Sequence, residues 1–547
     1  MKQRMTTVAK GMSLATLLAA AGACASAGNS KSFRGLDGKA DGTPETGPLV
    51  SAYVRDFNAT DDETHSNAVP NSAAEEFLAR NAPRFACPDA DIERTYYFRW
   101  WTLRKHLRHD LGVWTFSEFL RNVCWAGAGN TIVCAAGHHL REARWLRDPQ
   151  YVTDYARFWL SDERASHRWK YSSWLFTATR QAAEVIGSDD LPAQLLDDAV
   201  RYYETWEKGV PHGAKQSPRI MGGDGKGGFV SYDNDEGTEV SLGGNGYKPL
   251  FSSAMWSEAK SIEEVARAAG RKDLADKFAA RADRAAAALV EHCWNDEVGF
   301  FTTETRKGGK GVVRELHGYA PWYFGAPVGD RRPDWDQLTD PEGFAAKCGL
   351  SFPERRAKGF EISYTGHECQ WNGPSWPMAT SLALTAYAND LHLRPDAKGR
   401  EAFASLMRQY AAQQTLTRPD GTVVPWIDEN LNPDRPDWIA RTFLIKRAEK
   451  QGKKSYWDRG KDYNHSTYCD LVISGLVGFI PRGAKGFTVD PLCPADWSYM
   501  VLENLRYRGH DVDIRWLRGK GLSVSVDGKP AASRDTLGPL SVGFPTK

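Results

Sequence analysis

The chain has 547 residues, of which 41% are hydrophobic and 25% charged, with a formal net charge of +1 from 70 basic and 69 acidic side chains. That length supplies a large core with room for a small accessory domain. The balanced charge gives no electrostatic footprint for nucleic acid or an anionic membrane as partner.

The N-terminus reads Met1-Lys2-Gln3-Arg4, then an apolar stretch from Gly11 to Gly22, then Ala23-Cys24-Ala25-Ser26-Ala27. A basic start, a short apolar run and an A-x-A site predict a secretory signal over 1–27 cleaved after Ala27, and hence export to the periplasm or surface of a bacterium. Ala21-Gly22-Ala23-Cys24 also resembles a lipoprotein box, so lipid attachment at Cys24 is the alternative and the expected route to a membrane; the apolar run is too short to span one. Residues 28–68 are rich in Gly, Asp, Thr, Ser and Asn without a helical period and read as a linker.

From 69 to 485 the text is largely helical. Ile92–Leu107 and Tyr171–Val185 are candidates. Ala254–Ala269 and Asp273–His292, separated by a Gly-Arg-Lys turn, form a helical hairpin, and Trp376–Leu391 with Glu401–Gln413 form another. Long loops at 209–250, 302–318, 328–366 and 415–463 interrupt them, and loops of that length usually carry function. Over 486–547 apolar and polar residues alternate, and Asp527-Gly528 is a hairpin signal. The fold class expected is mainly α: a toroid of helical hairpins followed by a small C-terminal β domain. No CxxC pair or Cys/His cluster has metal-ligand spacing, so no metal is expected.

The sequence has 20 Trp, many beside polar neighbours, as in Arg99-Trp100-Trp101, Gln370-Trp371-Asn372 and Ser375-Trp376-Pro377. Indoles next to hydrogen-bonding groups suit a pocket that stacks on sugar rings and bonds their hydroxyls. Two loops carry carboxylates. Tyr232 to Tyr247 holds Asp233, Asp235, Glu236 and Glu239; alone it reads equally as a solvated acidic turn, and its spacing does not fit an EF-hand. Pro425-Trp426-Ile427-Asp428-Glu429-Asn430-Leu431-Asn432-Pro433 sets two carboxylates between a Trp and an Asn-Pro turn.

Together these loops resemble the six-hairpin glycosidases of glycoside hydrolase family 63 and their relatives, the trehalases and mannosylglycerate hydrolases. Gly237-Thr238-Glu239 stands where that family has Gly-x-Asp, Trp371-Asn372-Gly373-Pro374-Ser375-Trp376 where it has Trp-Arg-Gly-Pro-x-Trp, and Glu429-Asn430-Leu431-Asn432-Pro433 where it has Glu-x-x-Asn-Pro. Tyr96 to Trp100, Trp125 to Asn130, Gly137 to Glu142 and Asp462 to Tyr468 resemble uncharacterised bacterial relatives of mannosylglycerate hydrolase. The resemblance implies an (α/α)6 barrel with a β-sandwich-like cap and a hydrolase of a glycosidic bond, α-linked, in an oligo- or polysaccharide, working without a cofactor. It also implies an inverting pair: Glu239 as general acid, with Asp235 as its alternative because Glu replaces the family's Asp, and Glu429 as the base that activates water. Trp371, Asn372, Trp376, Trp426 and Trp125 are the candidates to meet the sugar. Arg99, Asn130, His138, His139, Glu142 and His465 are further candidates to bind its hydroxyls. Two alternatives stay open: a carbohydrate-binding pseudoenzyme in the same cleft, and a polysaccharide lyase using Tyr463 and His465.

Overall fold

The computed structural model describes residues 39, 42–210, 221–232, 238–452 and 459–544. The signal segment, and Asp235 with its neighbours 233–237, lie outside the described residues. The chain is mainly helical, as expected. Six segments touch one another in a closed circuit: Val133–Ala143, Leu175–Ile186, Pro249–Ala268, Ala320–Phe324, Pro377–Leu393 and the turn from Cys469 to Leu476, which returns to Val133–Ala143. Other helices pack against this circuit. Gln150–Ser161 lies on Leu175–Ile186, and Leu196–Lys208 and Lys272–Cys293 lie on Pro249–Ala268. Ala397–Ala412 bridges Pro377–Leu393 and Ala90–Lys105.

Local chemistry sets these helices. Pro249 and Pro377 each stand in the first turn of a helix, where the missing N–H costs nothing. Gly187 ends Leu175–Ile186 in the left-handed conformation, its N–H bonded to the Ala183 carbonyl at 2.9 Å. Lys272–Cys293 buries a stripe of Ala275, Phe278, Ala282, Ala285 and Leu289 and keeps its charges outside. Pro377–Leu393 is instead buried on nearly every side, as a helix of the inner circuit must be.

Two expectations need correction. The segment 28–68 is not all linker, because Thr46–Thr60 is a helix whose Leu49, Val50, Tyr53, Val54 and Phe57 are buried. Tyr53 stacks on Tyr97 at 5.0 Å between ring centroids and donates to Glu93 at 2.8 Å. Its apolar stripe is short and flanked by turn residues, which hides the period. The loop 415–463 likewise contains a helix, Ile439–Lys450.

Arg84–Ala86 joins Tyr499–Tyr507, His510–Leu517, Gly521–Val526 and Lys529–Arg534 in a five-stranded antiparallel sheet. A three-stranded sheet combines Phe479–Pro481, Gly486–Val489 and Leu540–Gly543. Asp527 and Gly528 take φ of 49° and 74° between the paired Val526 and Lys529, the geometry of a tight hairpin turn. The expected boundary at 485–486 falls between two strands that pair with each other. Among the described residues no helix is long and apolar enough to cross a membrane.

Candidate active site

The connections that precede the inner helices converge on a cavity of about 230 Å³. Its wall takes Glu118 and Trp125 from the approach to Val133–Ala143, Cys134 from the first turn of that helix, Tyr171 from the approach to Leu175–Ile186, and Glu239 from that to Pro249–Ala268. His367 to Trp376 precede Pro377–Leu393, Arg459 to His465 precede Cys469–Leu471, and Glu429 comes from the turn before Ile439–Lys450. At a liquid-like share of about 30 Å³ per water, the space equals roughly eight waters, on the scale of one sugar ring with its hydroxyls.

Glu239 is half-buried at the mouth of its loop. Its carbonyl accepts the Trp371 N–H at 3.1 Å, which ties the two motifs together. Burial pushes its carboxyl above the ordinary value, and the Glu429 charge pushes the same way against His367 and Lys248. The next residue, Val240, sits in the left-handed region at φ 58°. A β-branched side chain there stores on the order of 1–3 kcal/mol, and such strain clusters at functional sites.

Glu429 is 1% exposed. Arg459 donates to one of its oxygens through Nε at 3.0 Å and also through Nη2, while the Cys369 thiol donates to the other at 3.2 Å. Arg459 also reaches Glu368 through Nη1 at 2.7 Å, holding that carboxyl below its usual range despite burial. Behind this pair, the Glu429 N–H donates to Asp428 at 2.9 Å and the Trp426 indole donates to the same carboxylate at 3.3 Å. Burial first, then the charge of Glu429, pushes Asp428 up to about 7. A Cβ at Gly460 would stand 1.9 Å from Asp428 Oδ1, so only glycine admits this approach.

A third carboxylate faces the cavity. Glu118 accepts the Tyr463 hydroxyl at 2.5 Å and lies 3.2 Å from His465 Nδ1, which is also 2.8 Å from Tyr463 Oη. Burial disfavours a charged imidazole, but Glu118 and Cys134 outweigh it and push His465 up to about 10. Glu118 Oε2 is buried and has no hydrogen-bond partner among the described residues. On the far wall Trp371 and Trp376 stack at 3.9 Å and 7°. The Trp376 indole is bonded to the Gln370 carbonyl at 2.7 Å, whereas the Trp371 indole N–H has no partner among the described residues.

Of the candidate residues, Glu239, Glu429, Trp125, Trp371, Trp376 and His465 line this cavity. The others do not. Arg99 binds the Ser466 carbonyl at 2.7 Å, and Asn130 holds its own loop through Val123, Phe119 and Arg121 backbone groups. His139 is spent on Tyr155 and the Asn464 carbonyl, and Glu142 on the backbone N–H groups of Tyr468, Cys469 and Asp470. His138 lies behind His465, at 5.8 Å between ring centroids, kept neutral by burial and by the His465 charge. Trp426 supports Asp428 from behind, and Asn372 faces the Glu361 segment through its carbonyl. The sequence reading missed Glu118, Glu368, Cys369 and Arg459. The only local signal for them was their proximity to flagged strings, three residues before Asp462 for Arg459 and two before Gln370 for Glu368. Among the described residues no group of three or more His, Cys, Asp or Glu side chains is placed to hold a metal ion.

Residues 128–466 match the mannosylglycerate hydrolase MGH1-like glycoside hydrolase domain. The chain belongs to this family. The matched stretch of this glycoside hydrolase domain contains Glu239, Glu368, Glu429, Arg459 and His465, while Glu118 and Trp125 precede it. The resemblance read from the motifs is thereby borne out. A solved structure named as a sialidase shares 31% identity and a TM-score of 0.79 over 91% of this chain and 45% of its own length. The GH78 family rhamnosidase of Bacillus sp. GL1 shares the fold at 14% identity, with a TM-score of 0.54 over 84% of this chain and 42% of its own. The chain therefore spans less than half the length of either protein.

Proposed function

We propose that the chain is an exported glycoside hydrolase, acting in the periplasm or at the cell surface in polysaccharide degradation, that cleaves an α-linked glycosidic bond with inversion. Glu239 is the acid that protonates the leaving oxygen, and Glu429 is the base that activates water. The observation that carries this reading is the contrast between two carboxylates on one small cavity. Glu239 is lifted by burial and by its neighbour, which favours the protonated form that a general acid needs. Glu429 is held between a guanidinium and a thiol, both donors, which leaves it an acceptor. The helix circuit supports an (α/α)6 toroid, and the C-terminal strands support a β-sandwich-like cap. An inverting pair stands about 6.5–9.5 Å apart to admit water.

The lyase alternative needs a side chain that accepts a proton. Burial and Glu118 push the Tyr463 phenol far above its usual range, and His465 titrates at about 10, so both carry their protons at neutral pH. The pseudoenzyme alternative predicts binding without product. The test is reducing sugar released from a panel of aryl glycosides and polysaccharides. Glu239→Gln and Glu429→Gln should each lower kcat by about 10²–10⁴-fold; Glu239→Gln, on a half-buried side chain, should leave melting little changed, whereas Glu429→Gln weakens a buried ion pair with Arg459 and should lower it. Near-wild-type rates in both variants would sink the assignment, and a first-formed product of unchanged anomeric configuration, read by NMR, would replace inversion with retention.

A further inference from the structure

Glu118 precedes the matched domain, and the two-carboxylate mechanism makes no use of it, yet it lines the same cavity as Glu239 and Glu429. The residue is 4% exposed. One of its oxygens accepts the Tyr463 hydroxyl and faces His465 Nδ1, which fixes the side chain in place. The other, Oε2, is buried and has no hydrogen-bond partner among the described residues. A carboxylate oxygen shut away from water without a donor is destabilising, so the fold alone gives no reason to keep it. The indole N–H of Trp371, on the same cavity and also buried, likewise has no partner among the described residues. One group accepts and the other donates, and a sugar hydroxyl can do both.

The charges of the wall narrow the kind of sugar. Arg459 is bonded to Glu368 and Glu429, and His465 is paired with Glu118, so neither cation is open to an acidic substituent. His367 is exposed to solvent, which screens it. A ring bearing a carboxylate or sulfate would meet the acidic side chains of Glu118, Glu239, Glu368 and Glu429, and a neutral ring suits the space better. We infer that Glu118 Oε2 accepts a hydrogen bond from a ring hydroxyl of a neutral hexose held in this cavity, and so selects a sugar in which that hydroxyl is present and unsubstituted. This deepens the hydrolase reading and rests on it for which ring enters, the one whose glycosidic bond is cleaved. A site built around a buried polar group rejects the analogue that lacks its partner, because the group is then left unpaired.

The test is calorimetric titration of the full chain carrying Glu239→Gln. The probes are the 4-nitrophenyl α-glycosides of glucose, galactose, mannose and rhamnose, the monodeoxy analogues of each, and the α-glucuronide. The expected result is that one parent binds at least about 10-fold tighter than one of its monodeoxy analogues, because a hydrogen bond to a charged group is lost. Adding Glu118→Gln should shrink that ratio toward one and leave the ratios for the other hydroxyls in place. Tyr463→Phe removes only a bond to the opposite oxygen and should keep the ratio. A merely structural role for Glu118 would weaken parent and analogue alike, so the ratio separates contact from support. If no neutral parent binds, if the glucuronide outbinds every neutral parent, or if Glu118→Gln weakens all analogues by one factor, the inference is overturned. Turnover of the same glycosides by the unmodified chain is measured alongside. A Glu118-dependent ratio without turnover would overturn the hydrolase reading and leave the hydroxyl contact standing, whereas turnover without such a ratio would do the reverse.

Discussion

Two buried acidic clusters differ in how fully they are partnered. Asp470 accepts from Arg141 at 2.6 Å, from Arg144 at 3.0 and 2.6 Å, and from the Trp145 indole at 2.8 Å. Burial alone would raise its carboxyl, but the two arginines hold it down at about 2. Glu142 beside it takes three successive backbone N–H groups. The cavity cluster is left incomplete: Glu118 keeps a buried oxygen without a partner among the described residues, and so do the amide oxygen of Gln370 and the indole N–H of Trp371. A buried charge that only supports the fold is satisfied by the fold itself. One that meets a ligand keeps hydrogen-bonding capacity in reserve, at a cost in stability.

That contrast can be broken by exchanging roles. Asp470→Ala strands two buried arginines, so unfolding in urea should show a loss of about 3–5 kcal/mol, in contrast to the small stability change expected of Glu239→Gln. Equal stability for the two proteins would erase the distinction. Gly460→Ala tests the support behind Glu429. The added methyl must displace Asp428, which should cost about 1–3 kcal/mol as overpacking and lower kcat by moving the Glu429 backbone; a variant with unchanged kcat and melting would show that the contact is dispensable. A further test is in pH dependence. His465 is raised in the folded state from 6.5 to about 10, so its contribution is fully present below pH 6.5 and fades as pH rises through 10. Asp470 is lowered from 3.8 to about 2, so its contribution is present above pH 3.8 and fades as pH falls through 2. Urea midpoints measured across both ranges should show the two slopes, and Glu118→Gln should flatten the alkaline one only.

The helical character, the hairpins at 249–293 and 377–412 and the Asp-Gly turn were legible because each rests on local periodicity or on one turn's chemistry. Glu429 was legible because its neighbours form a continuous string, and Glu239 through the place of its loop before a helix. Glu118, Glu368 and Arg459 were not, since their loops are joined only by the closing of the helix circuit. The opposite error befell His139, Glu142, Arg99 and Asn130. A polar side chain reads the same in sequence whether it meets a cavity or a neighbour's backbone, and only packing tells the two apart.

The pairing of Arg84–Ala86 with Val501 to Glu503 has a consequence for how the molecule is made. A strand from the first sixth of the chain waits for its partner until more than nine-tenths of the polypeptide exists. Contacts so distant in sequence raise the contact order and slow folding, and they close the longest loop last. The helices can form as they emerge during synthesis, but the edge of this sheet stays open until the C-terminus arrives. Truncation near residue 490 would therefore leave an exposed strand edge and an aggregation-prone remnant instead of a clean domain.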